Sequence, residues 1–177
     1  MKILLRFTQF LPLSLFLYIA TRHQPGNWAM AFQLGALAAV IEFAILIPIL
    51  KTKLSRLITG VNLFLIFGGL GFYFEIGFLL DILSQSRESG LMILIFLVCL
   101  LATAYTRTGI FEAQFSSVHH QKKFSIYYLI LCLACVGFSW LNQGNNFLAG
   151  TVPVVTLVLV KYFMGKHLAR SKSSIET

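Results

Sequence analysis

Apolar residues run through this chain in six long blocks, separated by short clusters of Gly, Pro, Lys and Arg. The blocks are Leu4–Ala20, Asn27–Leu50, Leu57–Leu80, Leu91–Thr106, Phe124–Leu141 and Phe147–Met164. A membrane-crossing helix needs about 20 mostly apolar residues. Stretches such as LMILIFLVCLLATAY are apolar on every face, whereas a barrel strand alternates apolar and polar over about ten residues. In hydrocarbon such a stretch satisfies its own N–H and C=O groups only as a helix. The pattern therefore predicts an all-α integral membrane bundle of six transmembrane helices, or five if the first segment does not cross. The first block is the weakest, because it contains Arg6, Gln9 and Pro12. The third is long, and its helix is expected to end near Glu75. One transmembrane domain spans 1–177, with a cytoplasmic loop at 107–123 and a basic cytoplasmic tail at 165–177.

Composition agrees with this pattern. Hydrophobic residues make up 58% of the chain and charged residues 11%, against roughly 25% charged in a soluble domain. The net charge of +8 does not indicate nucleic acid, since no basic stripe is interleaved with aromatics. The cations instead sit between apolar blocks, as topology signals and contacts for anionic lipids at the cytoplasmic face. Lys2 and Arg6 ahead of FLPLSLFLYIA resemble the start of a signal peptide, but Tyr18-Ile19-Ala20 is a poor cleavage site. The segment is read as a retained span.

With six spans, one side holds Lys2, Arg6, Lys51, Lys53, Arg56, Arg107, Lys122, Lys123, Lys161, Lys166, Arg170 and Lys172, and the other holds Arg22 and Arg87. That bias of 12 to 2 places both termini in the cytoplasm. With five spans the N-terminus changes sides and the rest of the scheme stands. In the 107–123 loop, Ile110, Phe111, Phe115 and Val118 fall near helical spacing, so the loop is either an amphipathic helix at the interface or an ordinary loop.

Glu42 is the chief candidate for chemistry. It lies within AAVIEFAILIPIL, where a charged carboxylate is costly, so it should face the protein interior, be protonated, or pair. Asn62 falls at similar depth on the next helix and is the expected partner; Lys161, on the last helix, is a second. An intramembrane acid marks either an ion path or a structural hydrogen bond between helices. Gly68, Gly69 and Gly71 in IFGGLGFYF are read as helix-packing positions, because no phosphate-loop GK[ST] accompanies them. Cys132 and Cys135 form a CxxC inside an apolar run and, like Cys99, are read as packing residues; a redox pair needs a lowered thiol pKa at an exposed helix start. Glu75, Asp81 and Glu88 read as a solvated rim. Tyr127, Tyr128, Trp28 and Trp140 read as interfacial anchors. No catalytic triad, zinc motif or paired haem-ligand histidines stand out, so the sequence implies no cofactor or metal and leans away from an enzyme.

Two stretches resemble the intracellular septation protein A family of bacterial inner-membrane proteins. FTQFLPLSLFLYIATR is similar to that family's Phe–x–Pro-Leu–x–x–Phe–x–x–Tyr pattern, and KLSRLITGVNLFLIFGGLGFYFE to its charged turn, Ile-Thr and Phe-Gly-Gly-Leu run. Where the family has a Phe–x–x–Lys-Trp/Leu-Lys stretch, this chain reads EIGFLLDILSQSRESG. The resemblance implies a non-enzymatic role in envelope maintenance and division, through contacts with other membrane proteins or self-association. It carries no catalytic residues with it.

Overall fold

A computed structural model of the chain describes residues 9–20, 27–46, 55–111, 118–145 and 147–173. They form α1 (Leu11–Ala20), α2 (Asn27–Leu46), α3 (Arg56–Tyr73), α4 (Gly77–Tyr105), α5 (Val118–Leu141), a π-helical turn (Phe147–Thr151) and α6 (Val152–Ser173). Among the described residues there is no strand. Five helices, α2 to α6, are long and apolar enough to cross a membrane, the last together with its π turn. The chain is thus an all-α, multi-pass membrane protein. The ten residues of α1 reach only about 15 Å at 1.5 Å per residue; the earlier part of the expected first span lies outside the described residues.

The third block divides near Glu75, as its length suggests. Glu75 has φ 52°, and the Ile76 N–H bonds back to the Gly71 carbonyl at 3.0 Å. That six-to-one bond across a left-handed residue is a Schellman-type helix end. A side chain in this conformation costs roughly 1–2 kcal/mol. Glu75→Gly should therefore stabilise the protein by about 0.5–1 kcal/mol, read as a raised thermal midpoint in detergent. An unchanged midpoint would mean that Glu75 carries no strain. The polar stretch expected to be an outer loop is helical instead: α4 begins at Gly77 and runs through Asp81 and Glu88.

The chain forms two compact units. The first comprises residues 1–54 and 61–86, the second 55–60 and 87–177. In the first, α2 lays a stripe of Phe32, Gly35, Ala39 and Glu42, all buried, against α3. The three- and four-residue spacing keeps one face inward. Phe32 anchors this unit, with its ring 4.9 Å from Phe16, 5.4 Å from Phe64 and 5.6 Å from Phe72.

In the second unit, α5 is inside-out relative to a helix of a soluble bundle. The buried residues of α5 are Gln121, Ser125, Tyr128, Cys132, Cys135 and Ser139, a repeat of four and three. Its exposed side chains include Ile126, Ile130, Leu133 and Phe138. Polar and small groups face in because lipid offers them no partner, while apolar groups lose nothing by facing out.

The three buried hydroxyls on this stripe each have a definite use. Ser125 Oγ accepts the Ile110 N–H at 3.2 Å and donates to the Gln121 carbonyl at 3.0 Å, fastening the turn that follows α4. Gly109, at φ 59°, lies so close that a Cβ there would strike Ser125 Oγ. Tyr128 donates to the Leu157 carbonyl at 3.1 Å. It is fully buried, so it ties α5 to α6 and is not the interfacial anchor its sequence position suggests; its neighbour Tyr127 is exposed. Ser139 donates to the Ala149 carbonyl at 2.7 Å. Pro153, four residues on, has no N–H to give that carbonyl, and the serine hydroxyl takes its place. The π turn is capped by Asn145, whose Oδ1 accepts the Leu148 N–H at 3.1 Å.

Candidate functional site

The polar site of the first unit joins α2 and α3. Glu42 and Asn62 are both buried, Asn62 completely. Asn62 Nδ2 donates to Glu42 Oε2 at 3.1 Å. The other oxygens of the pair, Glu42 Oε1 and Asn62 Oδ1, are buried with no hydrogen-bond partner. Glu42 stands four residues from the last residue of α2 and Asn62 six residues from the first of α3, so antiparallel packing brings them level. The sequence-based depth of Glu42 also counted Ile47–Leu50, which lie outside the described residues.

The same helix pair holds the glycine positions. A Cβ on Gly69 would strike the Ala36 Cβ and approach the Phe32 carbonyl oxygen to 3.0 Å; one on Gly68 would enter the Phe32 ring. Gly71 faces Leu79 at the hairpin into α4, where a Cβ would come within 3.2 Å of the Leu79 Cβ. A closer approach to main-chain atoms is at Gly60 in the second unit: its Cβ would lie 2.7 Å from the Ile95 Cα. It stands alone in ITGVN, without the repeated small residues that drew attention to Gly68 and Gly69.

Lys161 is not part of the Glu42 pair. It belongs to the second unit, where its Nζ donates to Ser55 Oγ at 2.9 Å, next to the start of α3. Cys99, Cys132 and Cys135 are all buried free thiols, with the Cys132 thiol close to Cys99. Cys132 and Cys135 lie on the inward stripe of α5, which suits packing better than access to a redox partner. Asp81 and Glu75 are exposed, and Glu88 Oε2 accepts the Gly144 N–H at 3.4 Å. Beside it, Gln143 donates to Ser89 Oγ at 3.0 Å. Among the described residues no three His, Cys, Asp or Glu side chains group as a metal site. His119, His120, Lys122 and Lys123 lie on the first turns of α5; residues 112–117 of the expected amphipathic segment are outside the described residues.

No known protein family, curated protein or solved structure matches this chain.

Proposed function

We propose that this is a non-enzymatic multi-pass protein of a bacterial inner membrane that supports envelope maintenance or division through helix–helix contacts with other membrane proteins. The resemblance to the septation protein A family supports this reading. The observation that carries it is the inside-out α5: its hydroxyl side chains are spent on internal ties, so the surfaces left for partners within the bilayer are apolar helix faces. A photoreactive residue at Leu133, which is exposed, should give discrete adducts with other membrane proteins or a second copy. A deletion strain should show altered cell length or envelope permeability. Adducts to lipid alone, with a deletion of no consequence, would sink the reading.

In this scheme the C-terminus, the Lys51–Arg56 segment and the Arg107–Lys123 segment face the cytoplasm and its anionic lipids. A reporter fused after Thr177 should be active only in its cytoplasmic form. Periplasmic activity at that point would overturn the orientation.

A second reading is a small carrier or channel that uses Glu42. The two buried oxygens of the Glu42–Asn62 pair without a partner favour it, since intramembrane acids mark ion paths by default. Proton-driven flux into proteoliposomes, abolished by Glu42→Gln, would establish this reading over the first.

A further inference from the structure

We propose that Glu42 and Asn62 form a buried proton-binding site, occupied as a neutral acid–amide pair in which Glu42 Oε1–H donates to Asn62 Oδ1. The argument is a count of donors and acceptors. An ionised carboxylate is acceptor-only, and an amide offers one acceptor oxygen and a donor NH₂. The bond from Asn62 Nδ2 to Glu42 Oε2 satisfies one carboxyl oxygen and leaves Glu42 Oε1 and Asn62 Oδ1 as two buried acceptors. Two acceptors cannot satisfy one another. One added proton turns Oε1 into a donor, supplies Asn62 Oδ1, and removes the charge. Exchanging the amide oxygen and nitrogen of Asn62 leaves the count unchanged: ionised, the pair still lacks a donor.

The described residues of the first unit offer no other remedy. The described residues of the first unit include no Lys, Arg or His, so no cation there neutralises the carboxylate. Besides Glu42, the titratable groups among the described residues of this unit are Tyr18, Tyr73, Glu75 and Asp81, all exposed, and the last two are acids that would add negative charge; Arg56, at the start of α3, belongs to the second unit. A metal cation needs more oxygens than one carboxylate and one amide, and no cluster of three acid, His or Cys side chains provides them among the described residues. The inference does not depend on carrier activity, since a static neutral acid makes the same pair.

Infrared spectroscopy of the full chain in detergent tests it without altering the sequence. A carbonyl band of a protonated carboxylic acid should be present, should shift when glutamate is labelled with carbon-13, and should be the same in sodium chloride and choline chloride. Glu42→Gln should abolish it. Asn62→Ala should move it to higher frequency, because the acid loses its amide partner. Absence of the band, or its survival in Glu42→Gln, overturns the proposal. A band that appears only when sodium is withdrawn would assign the site to a metal ion. A band unmoved by Asn62→Ala would mean that the proton is not shared with the amide, and the proposed pair would fall. Loss of proteoliposome flux with the band intact would speak only against the carrier reading.

Discussion

Gly60→Ala should destabilise the protein by about 1–3 kcal/mol, the cost of forcing extra volume into a packed contact, and Gly60→Leu should prevent the native contact from forming. The reason is the identity of the neighbour. A Cβ at residue 60 would lie 2.7 Å from the Ile95 Cα and 3.1 Å from the Ile95 backbone nitrogen. Main-chain atoms in a continuous helix cannot swing aside, so the two helical segments would have to separate. Ile95 is completely buried, and separation would also loosen its packing. Gly68 is crowded in another way: a Cβ there would enter the Phe32 ring, which is itself packed against three other rings. Gly68→Ala should likewise be destabilising, and a bulky residue at either Gly68 or Gly69 should hold α2 and α3 apart. Gly137 has nothing within 4 Å of an added Cβ, and alanine there should be neutral or stabilising by up to about 1 kcal/mol through helix propensity alone. Thermal unfolding of the three alanine variants in one detergent provides the comparison. Equal midpoints for Gly60→Ala and Gly137→Ala would refute the close approach at Ile95.

Gly60 also shows where sequence reading reaches its limit. Helical character and the five spans α2 to α6 are legible because the bilayer imposes length and backbone satisfaction on any crossing segment. Which face of a span turns inward is harder, because apolar residues occupy all faces and the usual contrast between core and surface is missing. The contrast survives in the polar residues. Gln121, Ser125, Tyr128, Cys132, Cys135 and Ser139 repeat every four and three residues, and that repeat marks the inner face of α5. Taken singly, the same residues suggested an interfacial tyrosine and a CxxC pair. The segment after Glu75 is hard to read for a related reason: DILSQSRESG is polar enough for a loop between two apolar blocks, yet it belongs to a helix of 29 residues whose first part lies beyond the apolar window from Glu88 to Tyr105. Glu42 and Asn62 were legible because each is polar where lipid would penalise it, and level placement on consecutive antiparallel helices leaves each the other's nearest remedy. Lys161 was equally conspicuous, but depth alone could not say which helix it meets.

Glu42→Leu should cost about 1–3 kcal/mol, because it leaves Asn62 buried without its carboxyl partner, whereas Glu42→Gln should be tolerated. Glutamine keeps an oxygen to accept from Asn62 Nδ2 and gains an NH₂ able to donate to Asn62 Oδ1, so it reproduces the donor count of a neutral acid with no dissociable proton. Leucine is better suited to lipid than glutamate by transfer energy, so a carboxyl turned toward lipid would make Glu42→Leu stabilising. The sign of the change therefore reports which way residue 42 faces. Asn62→Leu in the Glu42→Leu background should recover part of the loss, since replacing both members of a buried polar pair removes the unsatisfied group that either single change leaves behind. Unfolding midpoints in detergent give the stabilities, and complementation of a deletion strain gives the function. If the pair only fastens α2 to α3, Glu42→Gln should restore growth as well as stability. If Glu42 delivers a proton, Glu42→Gln should fold normally and fail to complement. Both substitutions silent in stability and in growth would place Glu42 outside the interior and end both readings.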